Sequence, residues 1–150
     1  MSALPTFRTA VREEWIDYNG HLSEAYYVLV FGGATDQVME RIGLGPEQRA
    51  EAGSSLYTVE AHVRYLQEVP RGTELEVRTV IAGHAAKKLH LAHEMHVDGE
   101  LVATEEILTL HVAGVPARSA PFPELVADRI AVAAATTIDA PDWTGRAIRV

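Results

Sequence analysis

A two-residue hydrophobic period runs through the middle of the chain. Along residues 57–65 every second residue is apolar or aromatic, and polar residues take the positions between them. This alternation is typical of a strand with one buried face. Similar stretches follow at residues 73–81, 89–97 and 101–112, and Asp98-Gly99 between the last two is a strong hairpin signal. The pattern predicts four consecutive antiparallel strands. The residues expected on the buried face of the first strand are Tyr57, Val59, Ala61, Val63 and Tyr65.

A helical pattern precedes these strands. Ser23 is a good N-cap, and we predict a helix from about Glu24 to Ile42 that stops at Gly43. Its first half, AYYVLVF, is apolar on nearly every face, so we expect it to be buried all round. The Gly32-Gly33 pair inside it is expected to permit close packing against the sheet.

The two ends of the chain complete the predicted fold. A short strand is expected around residues 6–13, and a helix is expected at 123–135 after a Pro-rich connector. Together these elements indicate an α+β fold, a curved antiparallel sheet wrapped around one long buried helix, plus a C-terminal helix. We expect a single domain over residues 1–150, with its core at about 6–112 and a C-terminal linker and helix at 113–150. Such a sheet leaves an edge strand to be covered, and a dimer that pairs edge strands would cover it.

Composition excludes several classes of protein and of chemistry. Hydrophobic residues make up 47% of the 150 residues and charged residues 23%, the balance of a soluble globular protein. The formal net charge of -8 argues against a nucleic-acid partner. The chain has no cysteine, which excludes disulfides and thiolate chemistry. Neither a signal-peptide pattern nor an apolar run long enough for a membrane is present, so the expected location is the cytoplasm.

Asp17 lies in a Gly turn immediately before the long helix, in the stretch WIDYNGHLSEAYY at residues 15–27. Backbone N–H groups at a helix start lack partners, and with the helix dipole they favour a carbonyl or oxyanion there. A carboxylate beside that point could act as general base or nucleophile in acyl transfer or hydrolysis. Gly20 would allow close approach of a ligand or a turn with positive φ. Alternatively, Asp17 and Asn19 are turn formers that satisfy local N–H groups.

The motif Asp17-Tyr18-Asn19-Gly20-His21-Leu22, followed by an aromatic-rich helix and alternating strands, resembles the hotdog-fold acyl-CoA thioesterases of the 4-hydroxybenzoyl-CoA thioesterase type. The resemblance covers roughly residues 6–112. Within that family, WIDYNGHLSEAYYVLVF and the later VEAHVRYLQEV are most similar to the thioesterases of carnitine breakdown, which cleave betainyl-CoA to glycine betaine and CoA.

The resemblance implies roles for the residues of the motif. Asp17 would activate water or attack the thioester, and the backbone N–H groups of Ser23, Glu24 and Ala25 would form the oxyanion hole. His21 would either assist proton transfer or bond the backbone of the turn. Many relatives have Asn-Asn where this chain has Ser23-Glu24. This departure puts in doubt an Asn side chain as an aligning group, and it places a negative charge near the acyl pocket.

A trimethylammonium group is bound by aromatic faces and nearby carboxylates. We therefore expect Trp15, Asn19, Tyr26 and Tyr65 to line the substrate pocket, with Glu24 beside them. Core packing is the alternative role for each of these aromatic side chains.

Basic and histidine side chains are the remaining candidates for binding a ligand or a metal. Arg64, Lys87 and Lys88 are candidates for the phosphates of coenzyme A, although exposed strand charges of this kind often only keep an edge soluble. The histidines lack metal-ligand spacing, so no metal is expected, and His93 is expected to be a satisfied core histidine. No cofactor is expected, since coenzyme A is part of the substrate.

The resemblance thus implies a thioester hydrolase that works as a homodimer or homotetramer on a small acyl-CoA. Two alternatives stay open on the sequence. One is a thioesterase of the same fold for an aromatic or short aliphatic acyl-CoA. The other is a non-catalytic module that binds acyl-CoA.

Overall fold

The computed structural model describes residues 3–137 and 139–150. Within them a single sheet packs against one long helix, and shorter helices flank it. The strands are β1 (Phe7–Ala10), β2 (Ser54–Tyr65), β3 (Glu74–His84), β4 (Lys88–Val97), β5 (Glu100–Ala113) and β6 (Arg118–Ser119). The helices are α1 (Glu24–Ile42), α2 (Pro46–Ala52) and α3 (Glu124–Ala134), with a 3-10 turn at Glu13–Trp15.

The sheet confirms the α+β fold with a curved antiparallel sheet and a C-terminal helix, but its strand order is not a simple meander. The order is β1-β3-β4-β5-β2, with β6 paired to β5. Strands β3, β4 and β5 follow one another as expected, whereas β2 pairs with β5 instead of β3. The connection from β2 to β3 therefore crosses the sheet from the β2 edge to the opposite side, where β3 lies next to the edge strand β1. Strand β2 is left as an edge strand.

Helix α1 begins and ends at the predicted residues, although Ser23 makes no side-chain cap bond and only the C-terminal end has a local cap. Gly43 adopts φ +93°, and its N–H caps the last turn. Gly33 also has the predicted role, because a Cβ there would lie 2.6 Å from the ring of Phe7 on β1. The expectation of burial all round is wrong for this chain, since Val28 and Leu29 are 45% and 54% exposed. The sheet covers one side of the helix, and an apolar face stays open.

The predicted buried face of β2 is also wrong in part. A β-bulge between Thr58 and Glu60 shifts the pairing with β5 and interrupts the alternation. Val63 packs against the core under α1, whereas Tyr57 and Val59 are exposed. An extra residue on one strand changes which face each later side chain takes, and the two-residue period of the sequence does not reveal it.

The C-terminal segment covers both sides of the sheet. Val126 and Ile130 of α3 join a core cluster with the second half of α1. Beyond α3, Trp143 donates a hydrogen bond to Glu94 at 2.9 Å, and the Gly145 N–H donates to Glu106 at 2.6 Å. Residues 143–145 therefore lie against the outer face of the sheet. Among the described residues, no helix is both long and apolar enough to cross a membrane.

Candidate active site

The Asp17 turn is built by its own hydrogen bonds. The Asp17 N–H donates to the His21 carbonyl at 2.9 Å, and the Gly20 N–H donates to the Asp17 carbonyl at 3.0 Å. Oδ1 of Asp17 accepts the Asn19 N–H at 2.8 Å, and Gly20 has φ +80°. Asp17 is thus the turn former that one interpretation of the sequence described. Its carboxylate also lines a cavity, so the second interpretation is compatible with the first.

The β2–β3 connection holds this turn in place. The Leu22 N–H donates to the carbonyl of the buried Val69 at 2.8 Å, and His21 pairs with Pro70 in an isolated bridge. The side chain of His21 lies 3.3 Å from a carboxylate oxygen of Glu68 on the same connection. The β2–β3 connection across the sheet, which the sequence did not reveal, therefore supplies the wall opposite the Asp17 turn.

At the start of α1, two of the three expected N–H donors are available. The Ser23 N–H donates to the Trp15 carbonyl at 2.9 Å, so it is already committed to the protein. For the backbone N–H groups of Glu24 and Ala25 the described residues show no hydrogen-bond acceptor. Ser23 makes no side-chain cap bond either. The positive end of the helix is thus open at Glu24 and Ala25, where a carbonyl oxygen would be stabilised.

An open cavity of about 700 Å³ joins these features. Asp17 and the start of α1 form one side, and the residues after β2 form the other. Of the predicted site residues it brings together Asp17, Asn19, His21, Glu24 and Tyr65. The lining residues outside that prediction are Leu22, Tyr27, Leu66, Gln67 and Glu68.

Tyr27 and Tyr65 form an aromatic pair in the cavity wall. Their rings meet edge to face, with centroids 5.0 Å apart. The Tyr65 hydroxyl donates to the Glu24 carbonyl at 3.3 Å, and the Tyr27 hydroxyl donates to the Gln67 carbonyl at 3.2 Å. Burial raises the pKa of both hydroxyls, and nearby carboxylates raise it further. Both tyrosines therefore stay neutral hydrogen-bond donors at ordinary pH.

The structure places the other expected aromatic side chains away from this cavity. Trp15 is buried in the core and stacks on Tyr26 with ring centroids 5.8 Å apart. Neither residue lines the cavity in the described chain. A helical position faces the sheet or the solvent according to its angle around the axis, and this angle separates Tyr27 from its neighbour Tyr26. The Tyr-Tyr sequence could therefore have indicated that one tyrosine of the two faces the site.

The expected phosphate-binding residues are dispersed. Arg64 directly precedes Tyr65 on β2, so its side chain points to the opposite face of the sheet. Lys88 pairs with Leu110, whereas Tyr65 pairs with Ala103 at the other end of β5. Seven positions along a strand correspond to roughly 23 Å. Lys87 and Lys88 are therefore far from the Asp17 turn of the same chain.

Two buried titratable groups lie side by side on the inner face of the sheet. His93 is fully buried, and its ring nitrogens lie 3.0 Å from the Thr35 hydroxyl and 2.7 Å from the Thr79 hydroxyl. Burial lowers its pKa to about 4, so it is the neutral, satisfied core histidine that the sequence predicted. Glu105, its neighbour on β5, is 4% exposed, and burial raises its pKa to about 7. Within the described residues no group of three or more His, Asp or Glu side chains is placed to hold a metal.

A family model for the Thioesterase-like superfamily matches residues 11–130. This match covers most of the chain, including the Asp17 turn and strands β2 to β6. The chain belongs to that superfamily.

Individual relatives agree with the family. The chain is 42% identical to the betainyl-CoA thioesterase of Pseudomonas aeruginosa, over 97% of this chain and 94% of that protein. It is 39% identical to the L-carnitine dehydrogenase/betainyl-CoA thioesterase of Ruegeria pomeroyi, over 96% of this chain but 30% of that longer protein. A Staphylococcus aureus protein solved in complex with CoA superimposes with a TM-score of 0.91 at 29% identity, over 97% of this chain and 94% of that one.

Proposed function

We propose that this protein hydrolyses a small acyl-CoA thioester, with betainyl-CoA as its substrate and glycine betaine and CoA as the products. The observation that carries the proposal is the 42% identity to the Pseudomonas aeruginosa betainyl-CoA thioesterase, which extends over nearly the whole of both chains. The arrangement of Asp17 beside the open start of α1 supports it independently, because it suits attack on a thioester carbonyl.

In the proposed reaction the thioester oxygen accepts hydrogen bonds from the Glu24 and Ala25 N–H groups. Asp17 takes a proton from water as the water oxygen adds to the carbonyl carbon, or its own oxygen adds first and water then cleaves the resulting anhydride. In both routes the C–S bond breaks when the tetrahedral adduct collapses, which in the second route is the step that forms the anhydride, and the CoA thiolate leaves and takes up a proton. A thiol with an ordinary pKa of about 8.5 is a good leaving group, so no strong acid is needed beside the sulfur.

His21 has a supporting role in this proposal. Its ring lies 3.3 Å from Glu68, and its backbone carbonyl accepts the Asp17 N–H. These contacts orient the Asp17 turn. The sequence-based alternative of a proton relay through His21 stays a prediction.

We further propose a homodimer or a higher homo-oligomer. Strand β2 is an edge of the sheet, and Tyr57 and Val59 are exposed along it. The exposed Val28 and Leu29 of α1 add apolar surface. An unpaired edge with apolar side chains favours pairing with a second copy. A second copy would also supply basic side chains for the phosphates of a coenzyme A bound at Asp17 of the first copy. Lys87 and Lys88 are the candidates.

The decisive experiment measures thiol release from betainyl-CoA and from a panel of aromatic and short aliphatic acyl-CoAs. We expect Asp17→Asn to lower kcat by about 10²–10⁴-fold, the usual contribution of a general base. Asp98→Asn is the matched control, because it removes a turn carboxylate outside this site at a position where Asn is favoured (φ +49°). Undiminished hydrolysis by Asp17→Asn would refute the mechanism.

The panel also separates the alternatives. Faster hydrolysis of an aromatic or aliphatic thioester would favour the broader thioesterase function. Binding of acyl-CoA without any hydrolysis would favour the non-catalytic module. The expectations of no cofactor and of a cytoplasmic location stay predictions.

A further inference from the structure

Glu105 is a buried carboxyl group without a visible partner. Its Oε2 atom is inaccessible to solvent and accepts no hydrogen bond from the described residues. No ion pair with a described Lys, Arg or His compensates it. A buried carboxylate without a partner is costly, and the proposed chemistry at Asp17 does not use it.

The groups around Glu105 do not include a cation. Across from it on β4 is His93, which is neutral because its pKa is held near 4, and across from it on β2 is Val63. Tyr65 lies on the same face, since it pairs with Ala103 two positions before Glu105. Burial raises the pKa of the Tyr65 hydroxyl, and the charges of Glu24 at the start of α1 and of Glu105 raise it further. The surroundings are therefore neutral or negative.

The tyrosine pair connects Glu105 to the Asp17 cavity. Tyr65 lies diagonally across the β2–β5 pair from Glu105, and Tyr27 and Tyr65 both line the cavity that Asp17 lines. The two rings are in contact. One aromatic wall thus has Asp17 on its cavity side and Glu105 beside Tyr65.

Access to this wall is from the Asp17 cavity, at the start of α1, where the Tyr65 hydroxyl bonds the Glu24 carbonyl. Glu105 itself is 4% exposed and is not among the residues that line the cavity in the described chain.

We propose that Glu105, with the faces of Tyr65 and Tyr27, receives the cationic end of the acyl group while its thioester lies at Asp17. Glu105 is then the residue that determines specificity for a quaternary ammonium over a neutral acyl group of the same shape. This inference rests on the proposed thioesterase function and adds to it the residue that selects the acyl group.

Physical chemistry favours a cation over other ligands. A quaternary ammonium has no N–H to donate, so it is recognised by aromatic faces and by a nearby negative charge. Attraction to a carboxylate grows where water is excluded, and the bound cation would in turn stabilise Glu105 in its charged form. A neutral acyl group would leave the buried carboxylate uncompensated.

The test compares two thioesters of the same shape. In 3,3-dimethylbutanoyl-CoA a carbon atom replaces the nitrogen of betainyl-CoA, so the two acyl groups differ essentially in charge. We expect the wild-type protein to prefer betainyl-CoA in kcat/KM. Glu105→Gln should lower that preference by about tenfold or more, a conservative value for the loss of one close charge pair. Hydrolysis of the neutral thioester should fall less than hydrolysis of betainyl-CoA, so the ratio of the two kcat/KM values is the readout.

Three further variants serve as controls or as a substitute. Glu106→Gln is the matched control, because it removes the adjacent carboxyl group on the opposite face of β5, where it binds His90 and the Gly145 N–H. Glu105→Asp keeps the charge, so it should retain more of the preference than Glu105→Gln. If Glu105→Gln does not fold, Glu105→Met replaces it, because Met is uncharged and of similar volume. The same ratio of kcat/KM for the two thioesters is then measured.

The outcomes separate the two proposals. If the wild-type protein hydrolyses neither these thioesters nor any other of the panel, the proposed function fails. If it hydrolyses both and the uncharged variants leave the preference unaltered or lower both rates equally, the role of Glu105 is overturned while the thioesterase function stands.

Discussion

Replacement of Glu105 by Gln should change how stability depends on pH. The folded protein holds the pKa of Glu105 at about 7 because the group is buried, against an ordinary value of 4.5. The folded state therefore binds a proton more tightly than the unfolded state, so this group contributes stability below its unfolded pKa, and the contribution is lost as the pH rises through 7.

The magnitude follows from the two pKa values. One pKa unit corresponds to about 1.4 kcal/mol, so the full shift of Glu105 is worth about 3 kcal/mol. Between pH 5.5 and 8.5 about 2 kcal/mol of this is lost. The neighbouring His93 has a folded pKa near 4, so it stays neutral in the folded state throughout this window.

The assay is urea unfolding of the wild-type protein and Glu105→Gln at several pH values from 5.5 to 8.5. In the difference between the two free energies of unfolding, the pH-dependent contributions of the groups that both proteins share cancel. We expect this difference to shift by about 2 kcal/mol in favour of Gln as the pH rises across the window. A difference that stays flat across the window would refute the conclusion that Glu105 titrates in a buried, uncompensated environment.

Two further predictions concern packing and assembly. Gly33→Ala should destabilise the protein by about 1–3 kcal/mol, because its Cβ would press on the ring of Phe7, whereas Gly32→Ala should be neutral or stabilising by up to about 1 kcal/mol. Thermal or urea unfolding of both variants checks this, and equal effects would contradict the close contact. Val59→Arg on the exposed edge strand should lower the oligomer mass seen by analytical ultracentrifugation; an unaltered mass would count against an interface at β2.

Local chemistry made several elements predictable from the sequence. Helix α1 extends from Glu24 to Ile42 as expected, because its end depends on Gly43 in the left-handed region. The hairpin at Asp98-Gly99 has positive φ at both residues, as its sequence signal requires. The turn that presents Asp17 is likewise closed by bonds among residues 17–21. In each case the determining atoms are only a few residues apart in the chain.

The site as a whole depends on contacts between distant segments. The position of β2 beside β5 and the bulge near Val59 decide which side chains of β2 face α1. The path of residues 66–73 decides that Glu68 approaches His21.

The same limit applies to the choice of functional side chains. The sequence shows Tyr26 beside Tyr27 and Glu105 beside Glu106, but not which member of each pair faces the core. Packing of the helix on the sheet turns Tyr27 toward the cavity and Glu105 toward the inner face. The sequence by itself therefore determined the elements and the motif around Asp17, because these depend on local bonds. Only the tertiary structure decided which side chains join Asp17, because that choice depends on register and on the helix's rotation over the sheet.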